Sequence, residues 1–142
     1  MKNRPRYFTL EEFLKSDTAK KRNIDNYPTF EIVEHLEELA FFLDGIREAW
    51  GSGIKINSGY RSTILNIAVG GVVTSVHKIG YAADIYPTNG KFEDFKKFIV
   101  DYLKDKQFDQ CIIESKAGRQ WIHIGLRNNS HQQRRKVFSL SK

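Results

Sequence analysis

Cysteine occurs once in this chain of 142 residues, so no disulfide can form within it. The one thiol, Cys111, sits in Gln110-Cys111-Ile112-Ile113 with no activating neighbour, and it reads as a small buried hydrophobe instead of a nucleophile. No apolar run approaches the ~20 residues of a membrane span, which excludes a transmembrane helix of the ordinary kind. The opening Met1-Lys2-Asn3-Arg4-Pro5-Arg6 is basic, but Tyr7-Phe8-Thr9-Leu10 before Glu11 and Glu12 is too short and too acidic for the apolar core of a secretion signal. Internal repeats and low-complexity linkers are also missing. Residues 1–142 therefore read as one domain, long enough to bury about two thirds of the surface of its unfolded chain.

What the chain does contain is the balance of an ordinary globular protein, 40% hydrophobic and 28% charged. Its net charge of +6 favours an anionic partner, whether nucleic acid, a phospholipid surface or an anionic wall polymer. A well-solvated basic surface explains the same number, and charge alone does not choose.

Thr9-Leu10-Glu11-Glu12 is a capping box that opens a short helix through about Lys15. Residues 16–26 are polar and predict a connecting loop. Pro28 and Thr29 then open the longest helix, with Phe30, Val33, Leu36, Leu39, Ala40, Leu43, Ile46 and Trp50 on one stripe and His35 on the solvent side. Gly51 and Gly53 stop it. Ile54-Lys55-Ile56-Asn57 alternates as a strand, Ser62 caps a helix over 63–69, and Ala82 to Tyr86 is the next strand, ended by Pro87. A second amphipathic helix spans Phe92 to Leu103. Phe108 to Glu114 and Trp121 to Leu126 read as a hairpin, and Val137 to Leu140 as a last edge strand. The run Arg134-Arg135-Lys136 reads as a solvated face. Helices first and neighbouring strands later predict an α+β fold, a mainly antiparallel sheet with helices packed on one side.

Chemistry concentrates in Ser75-Val76-His77-Lys78-Ile79-Gly80-Tyr81-Ala82-Ala83-Asp84 and in Trp121-Ile122-His123. An imidazole and a carboxylate are ligands that Zn²⁺ accepts, and His123 can supply the third of an open catalytic site. Helical zinc ligands sit four apart, so a seven-residue gap places His77 on a loop and Asp84 at the entry to a strand. Gly80 permits the tight turn between them.

These motifs, with Ser58-Gly59-Tyr60-Arg61-Ser62, Leu65-Asn66 and Val69-Gly70-Gly71, resemble the LAS group of zinc peptidases. The likeness is to the small phage- and prophage-type branch of the D-Ala-D-Ala carboxypeptidase, or peptidase M15, family, whose fold is shared with the hedgehog signalling domain. It extends to Tyr7-Phe8-Thr9-Leu10-Glu11-Glu12 and Ile24-Asp25-Asn26-Tyr27-Pro28 and so covers nearly the whole chain. The resemblance implies one zinc ion on His77, Asp84 and His123, with Arg61 at the scissile region and Ser75 near substrate. Zinc would bring the pKa of its water toward neutrality, and a guanidinium would steady the oxyanion. Several members carry a catalytic Glu three residues before the last histidine, where this chain has Gln120. An amide cannot accept that proton, so Glu114 is the expected general base. In a regular hairpin it lies opposite Trp121 and shares a sheet face with His123, about 7 Å away as a diagonal neighbour. Trp121 either lines the cleft or fills the core.

The implied activity is hydrolysis of peptidoglycan peptides, as a carboxypeptidase or an endolysin-type endopeptidase. Arg61, Ser75, Trp121 and Gln120 are the substrate-facing candidates. The alternative is a zinc-containing binding module without catalysis. The expected partners are stem or cross-link peptides, with no nucleic acid and no stable membrane insertion, and the expected state is a monomer. Delivery to the wall would follow lysis or holin-type release of a protein made in the cytoplasm.

Overall fold

Thr9 starts the first helix as its neighbours predict: its hydroxyl accepts the Glu12 N–H at 3.4 Å, and Glu12 Oε1 accepts the Thr9 N–H at 3.0 Å. The result is α1, Leu10–Leu14, which buries Phe13. A second helix follows where a loop was expected. Ser16 Oγ accepts the Ala19 N–H at 3.2 Å and opens α2, Asp17–Lys21, with Asp17 at its positive end and Lys20 and Lys21 at its negative end. Five residues are too few to display a helical period, so the polar composition concealed it. The computed structural model describes residues 4–142, and Met1, Lys2 and Asn3 of the basic opening lie outside them.

Thr29 caps α3, Phe30–Trp50, and the stripe of Leu36, Leu39, Ala40, Leu43 and Ile46 is wholly buried. Phe30 belongs to the pattern by spacing but is exposed. His35 corrects the expectation of a solvated side chain: it is buried, with its Nδ1 2.6 Å from the Ile79 carbonyl and its ring stacked 4.1 Å from Tyr81. The buried face of α3 is broader than its aliphatic stripe because Ile79, Tyr81 and His131 also pack on it. The remaining elements are β1 (Ile54–Ser58), α4 (Thr63–Ala68), β2 (Ala82–Pro87), α5 (Phe92–Tyr102), β3 (Gln110–Lys116), β4 (Arg119–Gly125) and β5 (Lys136–Ser141).

The strands form one sheet in the order β1-β2-β4-β3-β5. β1 with β2, β2 with β4, and β3 with β4 are antiparallel, but β5 runs parallel to β3, so the α+β fold carries a mixed sheet. The cause is a charged anchor. Asp109, immediately before β3 and fully buried, accepts Arg134 Nε at 2.7 Å and Nη2 at 2.9 Å, which pins the chain entering β5 beside the start of β3. The basic run Arg134-Arg135-Lys136 is exposed, as expected of a solvated face, and within it Arg134 also binds Asp109 while Arg135 donates to the Lys104 and Lys106 carbonyls.

Alternation divides the sheet into two faces. Ile54, Ile56, Ala83, Ile85, Cys111, Ile122 and Ile124 join α3 and α5 in the core, where burial pushes the Cys111 thiol up to about 12. Asp84, Ile112, Glu114, Trp121 and His123 occupy the other face, which the helices α3 and α5 leave open as one wall of a cleft.

Candidate metal centre and its cleft

His77 lies on a 3₁₀ turn, Val76–Ile79, instead of an irregular loop. Ser75 caps the turn by accepting the His77 N–H at 3.3 Å, and Gly80 ends it at φ +82°, where a β-carbon would also crowd Ile32 at 3.0 Å. Alternation along β2 turns Asp84 to the cleft face, and beside it β1 slips register between Ile56 and Ser58, so Ser58 rather than Asn57 stands opposite Asp84. His123 pairs directly with Asp84 across the β2–β4 ladder.

The three side chains converge. His77 Nε2 is 3.3 Å and His123 Nδ1 is 3.1 Å from Asp84 Oδ1, and the three ligand atoms all lie within 4.8 Å of one another. On the far side of its ring, His77 Nδ1 is 2.7 Å from the Gly59 carbonyl, which fixes the proton there and turns the Nε2 lone pair toward Asp84. Burial pushes the His77 imidazole below its ordinary value, against the pull of Asp84, and so favours the neutral form that ligates. Burial would raise Asp84, yet the charges and hydrogen bonds of His77 and His123 hold its carboxyl well below the usual carboxylate range. Two imidazole nitrogens and one carboxylate oxygen at the wall of an open cleft fit a catalytic zinc site.

Gly59 carries the second support of the centre. A β-carbon there would lie 2.5 Å from the Phe13 carbonyl oxygen and 2.7 Å from Phe13 Cα, both backbone atoms of α1 that cannot turn aside. Gly59→Ala is expected to displace the carbonyl that orients His77 and to weaken zinc binding about 10- to 100-fold, as loss of an outer partner of a metal ligand does. Competitive titration with a chelating dye measures it, and an unaltered affinity would show that the carbonyl does not position the ring.

The cleft has a volume of about 1020 Å³, and Arg61, Ser75, Glu114 and Trp121 line it together with the three ligand residues. Arg61 is half-buried; burial lowers its pKa while Asp84 and Glu114 raise it, and its Nε has no partner among the described residues. A guanidinium remains charged regardless. Glu114 stands opposite Trp121 and Ile112 opposite His123, the register of a regular hairpin closed by Ala117 and Gly118, both left-handed. The Trp121 indole N–H donates to Glu114 Oε2 at 2.6 Å, and Lys142 Nζ lies 3.3 Å from Glu114 Oε1. Gln120 is the exception: it is exposed on the sheet face opposite Trp121 and His123, outside this cleft, because consecutive strand residues point to opposite sides.

Two contributors had not been singled out. Asn26 Nδ2 donates to the Leu14 and Tyr60 carbonyls at 3.0 Å each, and its Oδ1 accepts the Ser62 N–H at 2.8 Å, fastening the loop that presents Arg61. Lys142, remote from every motif, reaches the cleft only because β5 lies beside β3. No local signal marks it.

In this α+β chain a 3₁₀ turn and one sheet face bring together two imidazoles and a carboxylate that could hold a metal ion beside an open cleft. The peptidase M15 family model matches residues 6–125, and the chain belongs to that family, whose members are generally zinc peptidases. A comparison with curated proteins gives no match.

Proposed function

We propose that this chain is a zinc-dependent peptidase that hydrolyses peptide bonds of peptidoglycan, as a carboxypeptidase or an endopeptidase. The convergence of His77, Asp84 and His123 in the cleft carries the reading. Zinc held by these residues would polarise the scissile carbonyl and make water nucleophilic near neutral pH. Arg61 presents its charge to the same cleft and stabilises the oxyanion as it forms. Glu114 takes the proton of the attacking water on Oε1 and passes it to the leaving amine, while the Trp121 indole holds Oε2 and fixes the carboxylate. Ser75 and Trp121 line the path of the peptide. The basic surface suits an anionic wall, reached after lysis or holin-type release, and the protein acts as a monomer without nucleic acid.

One observation favours a second reading, a metal-bearing binding module: both Glu114 oxygens already have partners. Digestion of purified peptidoglycan by zinc-loaded protein, with the products weighed by mass spectrometry, separates the two. The peptidase reading expects new peptide termini and a loss of about 10²- to 10⁴-fold in kcat for Glu114→Gln, the usual contribution of a general base. Wild-type protein that binds wall material but releases no fragment supports the module instead. A Glu114→Gln variant as active as the wild type would place the base elsewhere.

A further inference from the structure

The β3–β4 hairpin ends in a row of like charges. Lys116 and Arg119 are direct cross-strand partners, and alternation puts both on the face of Glu114, Trp121 and His123. Lys142 continues the row from β5: its N–H donates to the Ser115 carbonyl at 2.8 Å, and its Nζ lies 6.0 Å from the centre of the Trp121 ring. Like charges directly opposed in a sheet are destabilising. Glu114 is bonded to Lys142 and Trp121, and among the described residues the Lys116 and Arg119 side chains have no ion pair. All three cations line the cleft, and all three also line a smaller depression of about 290 Å³ at the hairpin end.

We propose that Lys116, Arg119 and Lys142 form an anion subsite that receives a carboxylate of the peptide substrate, removed from the bond that is cut. This rests on the peptidase reading above. Arg119 stands four positions before His123 on β4, about 13 Å along a strand, which an extended peptide covers in about four residues. The favoured substrate is therefore an acidic peptide whose extra carboxylate lies roughly three to four residues from the scissile bond. Arg119 offers a planar fork to that carboxylate, and the Trp121 ring between the subsite and the metal centre offers an apolar surface to the intervening chain. A substrate carboxylate also gives Lys142 a partner other than Glu114. Binding then frees Glu114 Oε1 for proton transfer.

Two synthetic peptides that differ only in carrying a carboxylate or a carboxamide at this position test the subsite on zinc-loaded protein. The wild type is expected to prefer the acid about tenfold in kcat/KM, equivalent to about 1.4 kcal/mol, with the preference shrinking as salt rises. In Lys116→Gln/Arg119→Gln the ratio is expected to fall close to one, and Lys142→Gln lowers it in part. These side chains are exposed, and thermal melts of the variants check that the fold persists. Equal kcat/KM for the two peptides in the wild type, or an undiminished ratio in the double variant, overturns the proposal. If the wild type cleaves neither peptide, it is the peptidase reading that fails. Equilibrium binding of the same pair, followed by Trp121 fluorescence in chelator-treated protein, then decides the subsite: tighter binding of the acid that is lost in the double variant supports it, and equal binding removes it.

Discussion

His123→Ala is expected to lose zinc-dependent peptide hydrolysis by at least about a thousandfold and to lose its thermal response to zinc. The first figure follows from charge stabilisation by a catalytic metal, worth several kcal/mol, at about 1.36 kcal/mol for each factor of ten. The second needs no substrate. A ligand at a hundred times its Kd stabilises the folded state by about 2.7 kcal/mol, which for a chain of this size raises Tm by roughly 8 °C. His77 and Asp84 contribute to the same cluster, so His77→Ala and Asp84→Ala are expected to act alike, and combining them with His123→Ala adds little, because the three residues act as one unit. Calorimetric melts with and without zinc, run beside a hydrolysis assay, provide both readouts. Full zinc stabilisation in His123→Ala would mean that the metal is held elsewhere.

Arg134→Ala is expected to destabilise the protein by about 3 kcal/mol although it removes a side chain from outside the core. Asp109 is fully buried, and its carboxylate depends on Arg134 for two side-chain hydrogen bonds and a backbone N–H at 3.2 Å. Removal of the guanidinium leaves the buried carboxylate with only the backbone N–H, and breaking a buried pair costs about 3–5 kcal/mol; the lower value applies because that N–H remains and the Arg134 side chain is 37% exposed and already partly solvated. Burial would raise Asp109, but Arg134 and its backbone N–H prevail and hold the carboxyl below its ordinary value. A carboxyl with a depressed folded pKa stabilises above its unfolded value, near pH 4, and loses that contribution as pH falls through the folded one. Wild type and variant should therefore differ most near neutrality and converge in acid. Urea unfolding at pH 7 and at pH 3 measures both, and a difference below about 1 kcal/mol at pH 7 would show that the pair does not anchor β5.

How legible each part was depends on how local its cause is. The cap of α1, the stripe and stop of α3, and the register of the β3–β4 hairpin all follow from residues within a few positions of each other, and the structure has them where the chain predicts them. The α2 helix escaped because one turn is too short to show a period. His35 was misplaced because its burial comes from Ile79 and Tyr81, more than forty residues away. The parallel β5 and the cations of its approach were unreadable for the same reason, since Asp109 and Arg134 carry no pattern that pairs them. Parity places Gln120 away from the cleft that Trp121 and His123 line: one step along a strand reverses the face.

By itself the sequence determined which atoms can ligate a metal, where α1, α3, α4 and α5 form, and that β3 and β4 pair as a hairpin, because side-chain chemistry and short-range periodicity are properties of the chain. Tertiary structure alone decided that Asp84 turns between two imidazoles, that the Gly59 carbonyl sets the His77 ring, and that Lys142 closes on Glu114. Those contacts join residues far apart in the chain, and they depend on a strand order and a buried ion pair that no local pattern encodes.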